Sequence, residues 1–109
     1  MYNYSSEFDD TKIYILMDSF SSIFRGRRYS FIPILCFYAE KLDEHFVIDE
    51  PDLGIFVIAD TPKQLKKGIE YTIGYAWERY VEEYNERTFT KIEKRIARNL
   101  KNCIVVEKI

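Results

Sequence analysis

The chain has 109 residues, of which 47% are apolar and 17% are aromatic, with 16 basic and 18 acidic side chains. This length suits one domain, and this composition buries enough apolar surface to offset the entropy lost on folding. A formal net charge of -2 excludes a global field that attracts nucleic acid or an anionic membrane. We therefore expect a single domain over residues 1–109 whose charged binding surfaces, if any, are local.

Three features predict a cytoplasmic protein with no membrane segment. The longest apolar stretch runs only from Phe31 to Ala39, whereas a membrane-spanning helix needs about 20 apolar residues. Residues 1–10 are polar and acidic, where a secretory signal is basic and then apolar. Cys36 and Cys103 are far apart and each lies in an apolar run, which predicts buried free thiols rather than a disulfide.

The first periodic segment, from Thr11 to Arg25, has apolar residues at helical spacings of three and four. These residues are Ile13, Leu16, Met17, Phe20 and Phe24. The spacing predicts an amphipathic helix that Gly26 ends, so that residues 1–29 form an N-terminal helical extension. The unbroken apolar run from Ile13 to Met17 also fits a strand, which leaves that alternative open.

Three segments rich in aromatic and β-branched residues follow, at Ser30 to Glu40, Phe46 to Asp49 and Gly54 to Ala59. The breaks between them are short and contain turn-forming residues, among them Pro51 and Gly54. The pattern predicts three antiparallel strands joined in a meander.

The strongest helix signal lies after the meander, from Thr61 to Tyr84. Thr61 is a capping residue, Pro62 suits the first helical position, and Gln64 is placed to bond back to the cap. One apolar stripe follows at helical spacing, formed by Leu65, Ile69, Ile73, Ala76, Trp77, Tyr80, Val81 and Tyr84. We predict that this stripe packs on the sheet.

A second capping box, Thr90 to Glu93, opens a shorter helix, and the β-branched run Cys103 to Val106 predicts a last strand. The predicted element order is α-β-β-β-α-α-β. The fold class is therefore α+β, with a three-stranded antiparallel meander and a C-terminal strand covered by the long helix.

The chain contains few candidate catalytic residues. His45 is the one histidine and lies in the predicted hairpin turn, where we expect it in water. No pair of ligands at short spacing indicates zinc, and no phosphate-binding or nucleophile motif occurs. A metal site formed by carboxylates from separate turns is a further alternative, although acidic turn residues are usually solvated. We predict a non-catalytic protein without a cofactor or metal.

Two basic clusters are candidate nucleic-acid contacts. The first consists of Arg25, Arg27 and Arg28, and the second of Lys91, Lys94, Arg95, Arg98 and Lys101. The residues of the second cluster share one side of a helix and form a stripe able to follow phosphates. The alternative interpretation is a solvated helix face, which we favour because lysine and arginine are common surface residues.

The stretch from Ile34 to Glu83 resembles the HicB-type antitoxin family. The matching features are the strands Phe37 to Glu40 and His45 to Ile48, the turn Pro51 to Gly54, and Asp60-Thr61 before a long amphipathic helix. The resemblance implies a HicB-like core over residues 30–109, with a ribonuclease-H-like half-fold of order β-β-β-α-β. It also implies a protein partner, a HicA-like toxin ribonuclease or another nuclease, which the domain binds and occludes.

In that function, carboxylates occupy the phosphate site of a basic enzyme and steer its association. The candidate partner-binding residues are Asp49, Glu50, Asp52, Glu70, Glu78, Glu82 and Glu83. The N-terminal extension suggests a role in forming a homodimer or in contacting a different partner.

The alternative function is RNA binding, because α-β-β-β-α is also the order of the double-stranded-RNA-binding fold. Lys63, Lys66 and Lys67 lie at the start of the long helix, where that fold carries lysines.

Overall fold

The structure is a computed structural model that describes residues 12–109. Its strands are β1 (Lys12–Ser22), β2 (Arg27–Leu42), β3 (His45–Glu50), β4 (Ile55–Ala59) and β5 (Ile104–Lys108). Its helices are α1 (Pro62–Ala76), a π-helix (Trp77–Glu82) that continues α1, and α2 (Lys91–Cys103), with a 3-10 turn at Pro51–Leu53. The chain is α+β with an antiparallel sheet and helices, as predicted.

The sheet has five strands, and the long β2 is its central element. The strand order is β1-β2-β3-β4, and β5 also pairs with β2. One edge of β2 pairs with β1. Its other edge pairs with two strands, with β5 at Arg27 to Phe31 and with β3 at Glu40 to Leu42. All of these pairings are antiparallel. The predicted meander and C-terminal strand are both present.

The predicted N-terminal helix is wrong where the structure describes it, because residues 12–22 form strand β1. β1 pairs with β2 along most of its length, with a register shift between Met17 and Ser19. Gly26 does not end a helix but lies in the β1–β2 hairpin turn with a φ of 65°. Backbone pairing with a distant strand decides the outcome here, and helical spacing of apolar residues does not detect it. The part of the prediction that falls on residues 1–11 lies outside the described residues.

The helix starts follow the predicted caps. Thr61 accepts a hydrogen bond from the Gln64 amide, as predicted. The Gln64 side chain accepts one from the Asp60 amide, one residue before the predicted partner Thr61. Thr90 and Glu93 form a complete capping box. The predicted helix from Thr61 to Tyr84 is α-helical only to Ala76 and then widens into the π-helix.

Both helices lie on one face of the sheet and form the core with it. The apolar stripe of α1 supplies Leu65, Ile69, Ile73 and Ala76, all fully buried. Gly68 lets α1 approach β4, since a Cβ there would lie 2.4 Å from the Val57 Cγ1 atom. Within residues 12–109 no helix is long and apolar enough to cross a membrane.

The prediction of two buried thiols is wrong for Cys36, which is exposed. Cys36 lies on β2 and points away from the helices, whereas its neighbour Phe37 points into the core. Cys103 is half-buried, its thiol donates a hydrogen bond to the Asn99 carbonyl oxygen, and burial raises its pKa. Both thiols are free.

Candidate functional site

One face of the sheet is apolar, and no element among residues 12–109 covers it. Successive strand residues point to opposite faces, so the neighbours of the buried core residues point outward. The outward apolar residues of β1 to β4 are Tyr14, Leu16, Cys36, Tyr38, Leu42, Val47, Phe56 and Ile58. We call this surface the open face.

The strand register makes the open face continuous. Tyr14 lies opposite Tyr38, with 5.4 Å between the ring centroids, and Leu16 lies opposite Cys36. At the other end Val47 lies opposite Ile58. A shallow depression of about 520 Å³ lies over this end. It is lined by the apolar residues Tyr38, Leu42, Val47, Phe56 and Ile58 and by the carboxylates Glu40 and Asp49. The surface therefore runs from β1 across β2 and β3 to β4.

The open face is large for a surface left in water. Tyr14 is 68% exposed, Leu16 67%, Phe56 57% and Ile58 55%. Together with Tyr38 and Leu42, these side chains expose on the order of 600 Å², the upper end for the largest apolar patch on a monomer. Ile32 and Ile34, exposed beside the irregular stretch of β2, bring the total to about 800 Å², which one partner contributes to a standard interface.

Carboxylates mark one end of the open face. Asp49 is exposed opposite Phe56 and lines the depression. Glu50 lies opposite buried Ile55 and so points to the covered side of the sheet, and the Asp52 carbonyl oxygen accepts a hydrogen bond from Asn99 of α2. Burial raises the pKa of Glu50, and the charges of Asp52 and Asp49 raise it further. Of the predicted partner-binding residues, Asp49 therefore borders the apolar surface, and Glu50 and Asp52 follow it in the chain around the end of the sheet. We call these three residues the acidic end.

Two other predicted partner-binding residues are paired with predicted nucleic-acid contacts. The Arg25 Nε atom lies 3.3 Å from Glu78, and Arg27 donates a 2.6 Å hydrogen bond to Glu82. These four residues, which we call the Arg–Glu clamp, join the β1–β2 turn to the π-helix. Only 8% of the Arg25 side chain is exposed, so Arg25 is poorly placed to bind phosphate. The sequence predicted nucleic-acid binding for the two arginines and partner binding for the two glutamates. Their pairing could not be detected from the sequence pattern, since 55 positions separate Arg27 from Glu82.

The clamp lies beside buried polar and aromatic groups. Gly74 leaves room for Arg25, since a Cβ at Gly74 would lie 2.8 Å from the Arg25 Cδ atom. Arg25 also stacks over the Tyr71 ring, 5.0 Å from its centroid. Burial raises the pKa of Tyr29, which stacks on Phe20.

The remaining candidates are spread over the molecule. Glu70 is half-buried and Glu83 is exposed. Arg28 is exposed and donates a 3.4 Å hydrogen bond to the Ser19 hydroxyl. Lys91, Arg95 and Arg98 are exposed on α2, whereas Lys94 pairs with Glu86 at 2.7 Å.

The prediction that His45 lies in the hairpin turn is wrong, because His45 is the first residue of β3. Its side chain is exposed, as predicted. Its Nδ1 atom lies 2.5 Å from the Asp60 carboxylate, and both side chains are more than half exposed. Across residues 12–109, no group of three histidine, cysteine or acidic side chains is arranged to hold a metal ion.

The open face was not predicted, although the sequence contains a signal for it. The runs Ile13 to Met17 and Phe31 to Ala39 are apolar at consecutive positions, so each strand is apolar on both faces. A sheet with both faces apolar needs cover on both, and the described helices supply it on one.

Comparisons with models of protein families, with curated proteins and with solved structures found no match. The open face, its acidic end and the stripe on α2 are therefore interpreted from their own chemistry.

Proposed function

We propose that the protein is a non-catalytic binding module, similar to a HicB-type antitoxin, that docks and occludes a small basic protein such as a toxin ribonuclease. The observation that carries the proposal is the open face: about 800 Å² of apolar side chains in water, with carboxylates at one end.

The chemistry of the surface defines the partner. An apolar patch on the partner, bordered by lysine and arginine, fits a face whose centre is Tyr38 and Phe56 and whose border carries Asp49. Glu50 and Asp52 add negative charge just beyond that border. Enzymes that cut RNA carry such basic surfaces, because they hold phosphates. Opposite charges accelerate association, and burial of the apolar centre supplies the affinity.

The element order supports the same class of protein. Strands β2 to β4, helix α1 and strand β5 follow the β-β-β-α-β order expected of a HicB-like core, with α2 before the last strand. The motif segments Phe37 to Glu40 and His45 to Ile48 contribute to β2 and β3, and therefore to the open face.

The test compares two glutamate substitutions of exposed aromatic residues. Phe56→Glu places a charge in the open face, and Tyr75→Glu places one on the exposed side of α1. The tagged protein is purified from its native host, and the co-purified protein is identified and assayed for cleavage of RNA. We expect a small basic ribonuclease at one-to-one stoichiometry, inhibited by the wild type and Tyr75→Glu, and released at least tenfold more readily by Phe56→Glu.

Three results would overturn the proposal. One is a partner that binds Phe56→Glu as tightly as it binds the wild type. Another is a wild-type homodimer, measured by light scattering, that Phe56→Glu converts to a monomer, because a second copy would then occupy the face. The third is RNA that co-purifies in a salt-sensitive manner without any protein, which favours the RNA-binding alternative.

A further inference from the structure

A second surface lies on the helix side of the molecule, along α2. Its cations are Lys91, Lys94, Arg95, Arg98 and Lys101. Between α2 and the end of the π-helix is a groove of about 580 Å³, whose lining includes Tyr80, Tyr84, Glu86, Lys94, Arg98 and Lys101. We call the stripe and this groove together the cationic groove.

Most cations of the groove are free of carboxylates. Among the ion pairs of residues 12–109, none involves Lys91, Arg95, Arg98 or Lys101. Arg25, Arg27 and Arg79, which lie elsewhere on the helix side, are all paired with glutamates. Arg28 and the lysines at the start of α1 are outside these ion pairs too, so what distinguishes α2 is that four such cations share one side of a helix beside a groove.

The nearby carboxylates are already engaged. Glu86 accepts hydrogen bonds from Lys94 and from the Tyr84 hydroxyl, both at 2.7 Å. Glu93 accepts one from the Thr90 amide in the capping box and faces Arg79. Neither glutamate is left to neutralise Arg98 and Lys101.

The dimensions match a nucleic-acid strand. Lys91 and Lys101 are separated by about 15 Å along the helix axis, the rise of three turns. A stacked strand places about four phosphates over that length. The Tyr84 ring is 41% exposed at the groove and is supported by Phe89, with 5.2 Å between ring centroids, so that it offers a surface on which a base can stack.

We propose that the cationic groove binds single-stranded nucleic acid, with Arg98 and Lys101 contacting phosphates and Tyr84 stacking on a base. This site is independent of the open face, which lies on the opposite side of the sheet. It also differs from the start of α1, where the alternative sequence interpretation placed RNA contacts.

The experiment measures fluorescence anisotropy of a labelled oligouridine of about 12 nucleotides, titrated with the full chain at several salt concentrations. Four phosphate contacts predict a slope of log affinity against log salt of about -3. The double substitution Arg98→Glu, Lys101→Glu should weaken binding at least tenfold and reduce the steepness of the slope by about 1.4. Tyr84→Ala should weaken binding about tenfold with little change of slope.

The matched control is Lys63→Glu, Lys66→Glu, which reverses the same number of exposed charges at the start of α1 and should leave affinity within about twofold. Phe56→Glu should also retain full affinity, which separates this site from the proposed protein-docking function. Far-UV circular dichroism verifies that each variant is folded.

The proposal is overturned if the wild type does not bind the oligonucleotide at low salt, or if the α1 and α2 substitutions weaken binding equally. It is also overturned if polyglutamate competes as well as unlabelled oligouridine at equal charge, because the groove would then accept any acidic chain. An oligodeoxyuridine of the same length distinguishes RNA from DNA as the ligand, and either result supports a nucleic-acid site.

Discussion

The covered face and the open face of the sheet carry similar side chains in different surroundings. Phe37 is 1% exposed beneath the helices, whereas Phe56 is 57% exposed on the other side. Burial on the covered face stabilises the fold, while the open face leaves its apolar surface in water. The comparison teaches that apolar character in a strand does not by itself identify the core. Substitutions on the two faces should therefore separate stability from binding.

The largest expected effect comes from the same substitution on each face. Phe37→Ala should lower the free energy of unfolding by about 3–5 kcal/mol, because it opens a cavity in the core. Phe56→Ala should change it by less than about 0.5 kcal/mol, since the ring is already in water. Urea unfolding followed by circular dichroism measures both. Equal losses would show that the open face is buried in the isolated protein.

The next largest loss of stability is expected at the contact between α1 and β4. Gly68→Ala should destabilise the protein by about 1–3 kcal/mol, because the new methyl group overlaps Val57 and the overlap outweighs the better helix propensity of alanine. In the background of Val57→Ala, the same change should cost at least about 1 kcal/mol less. A cost of Gly68→Ala that Val57→Ala does not relieve would contradict this explanation.

Substitution of two neighbouring glutamates, Glu82 and Glu83, tests the Arg–Glu clamp, and we expect a smaller loss of stability than at Gly68. Glu82→Gln should lower the free energy of unfolding by up to about 1 kcal/mol, because Arg27 loses a partly exposed ion pair. Glu83→Gln is the control, since Glu83 forms none of the ion pairs of residues 12–109. The difference between the variants should shrink in about 1 M salt. A difference that persists there would argue against an electrostatic origin.

The rates at which the two thiols are chemically modified give the smallest expected effect and show which surface is covered. Iodoacetamide should modify exposed Cys36 before half-buried Cys103, as measured by mass spectrometry of peptides. Because burial raises the Cys103 pKa, its thiolate forms at higher pH than usual, and its modification should accelerate only in more alkaline solution. Binding of the proposed protein partner should protect Cys36 and leave the rate at Cys103 unchanged. Faster modification of Cys103 would contradict the assignment of the open face.

Local signals in the sequence determined much of the fold. Thr61 with Gln64 and Thr90 with Glu93 mark the helix starts, because a capping residue and its partner lie within one turn of each other. Pro51 and Gly54 mark the turn between two strands of the meander, because the conformational preferences of turn residues act over only a few positions. The basic side of α2 also follows from helical periodicity alone.

Only the tertiary structure decided how these elements are used. β1 is a strand because β2 pairs with it, and periodicity within residues 12–22 does not contain that information. The ion pairs between Arg25 or Arg27 and Glu78 or Glu82 likewise depend on chain segments distant in sequence. Which apolar strand face becomes core depends on where the helices pack, because burial is a property of the assembled chain and not of any segment.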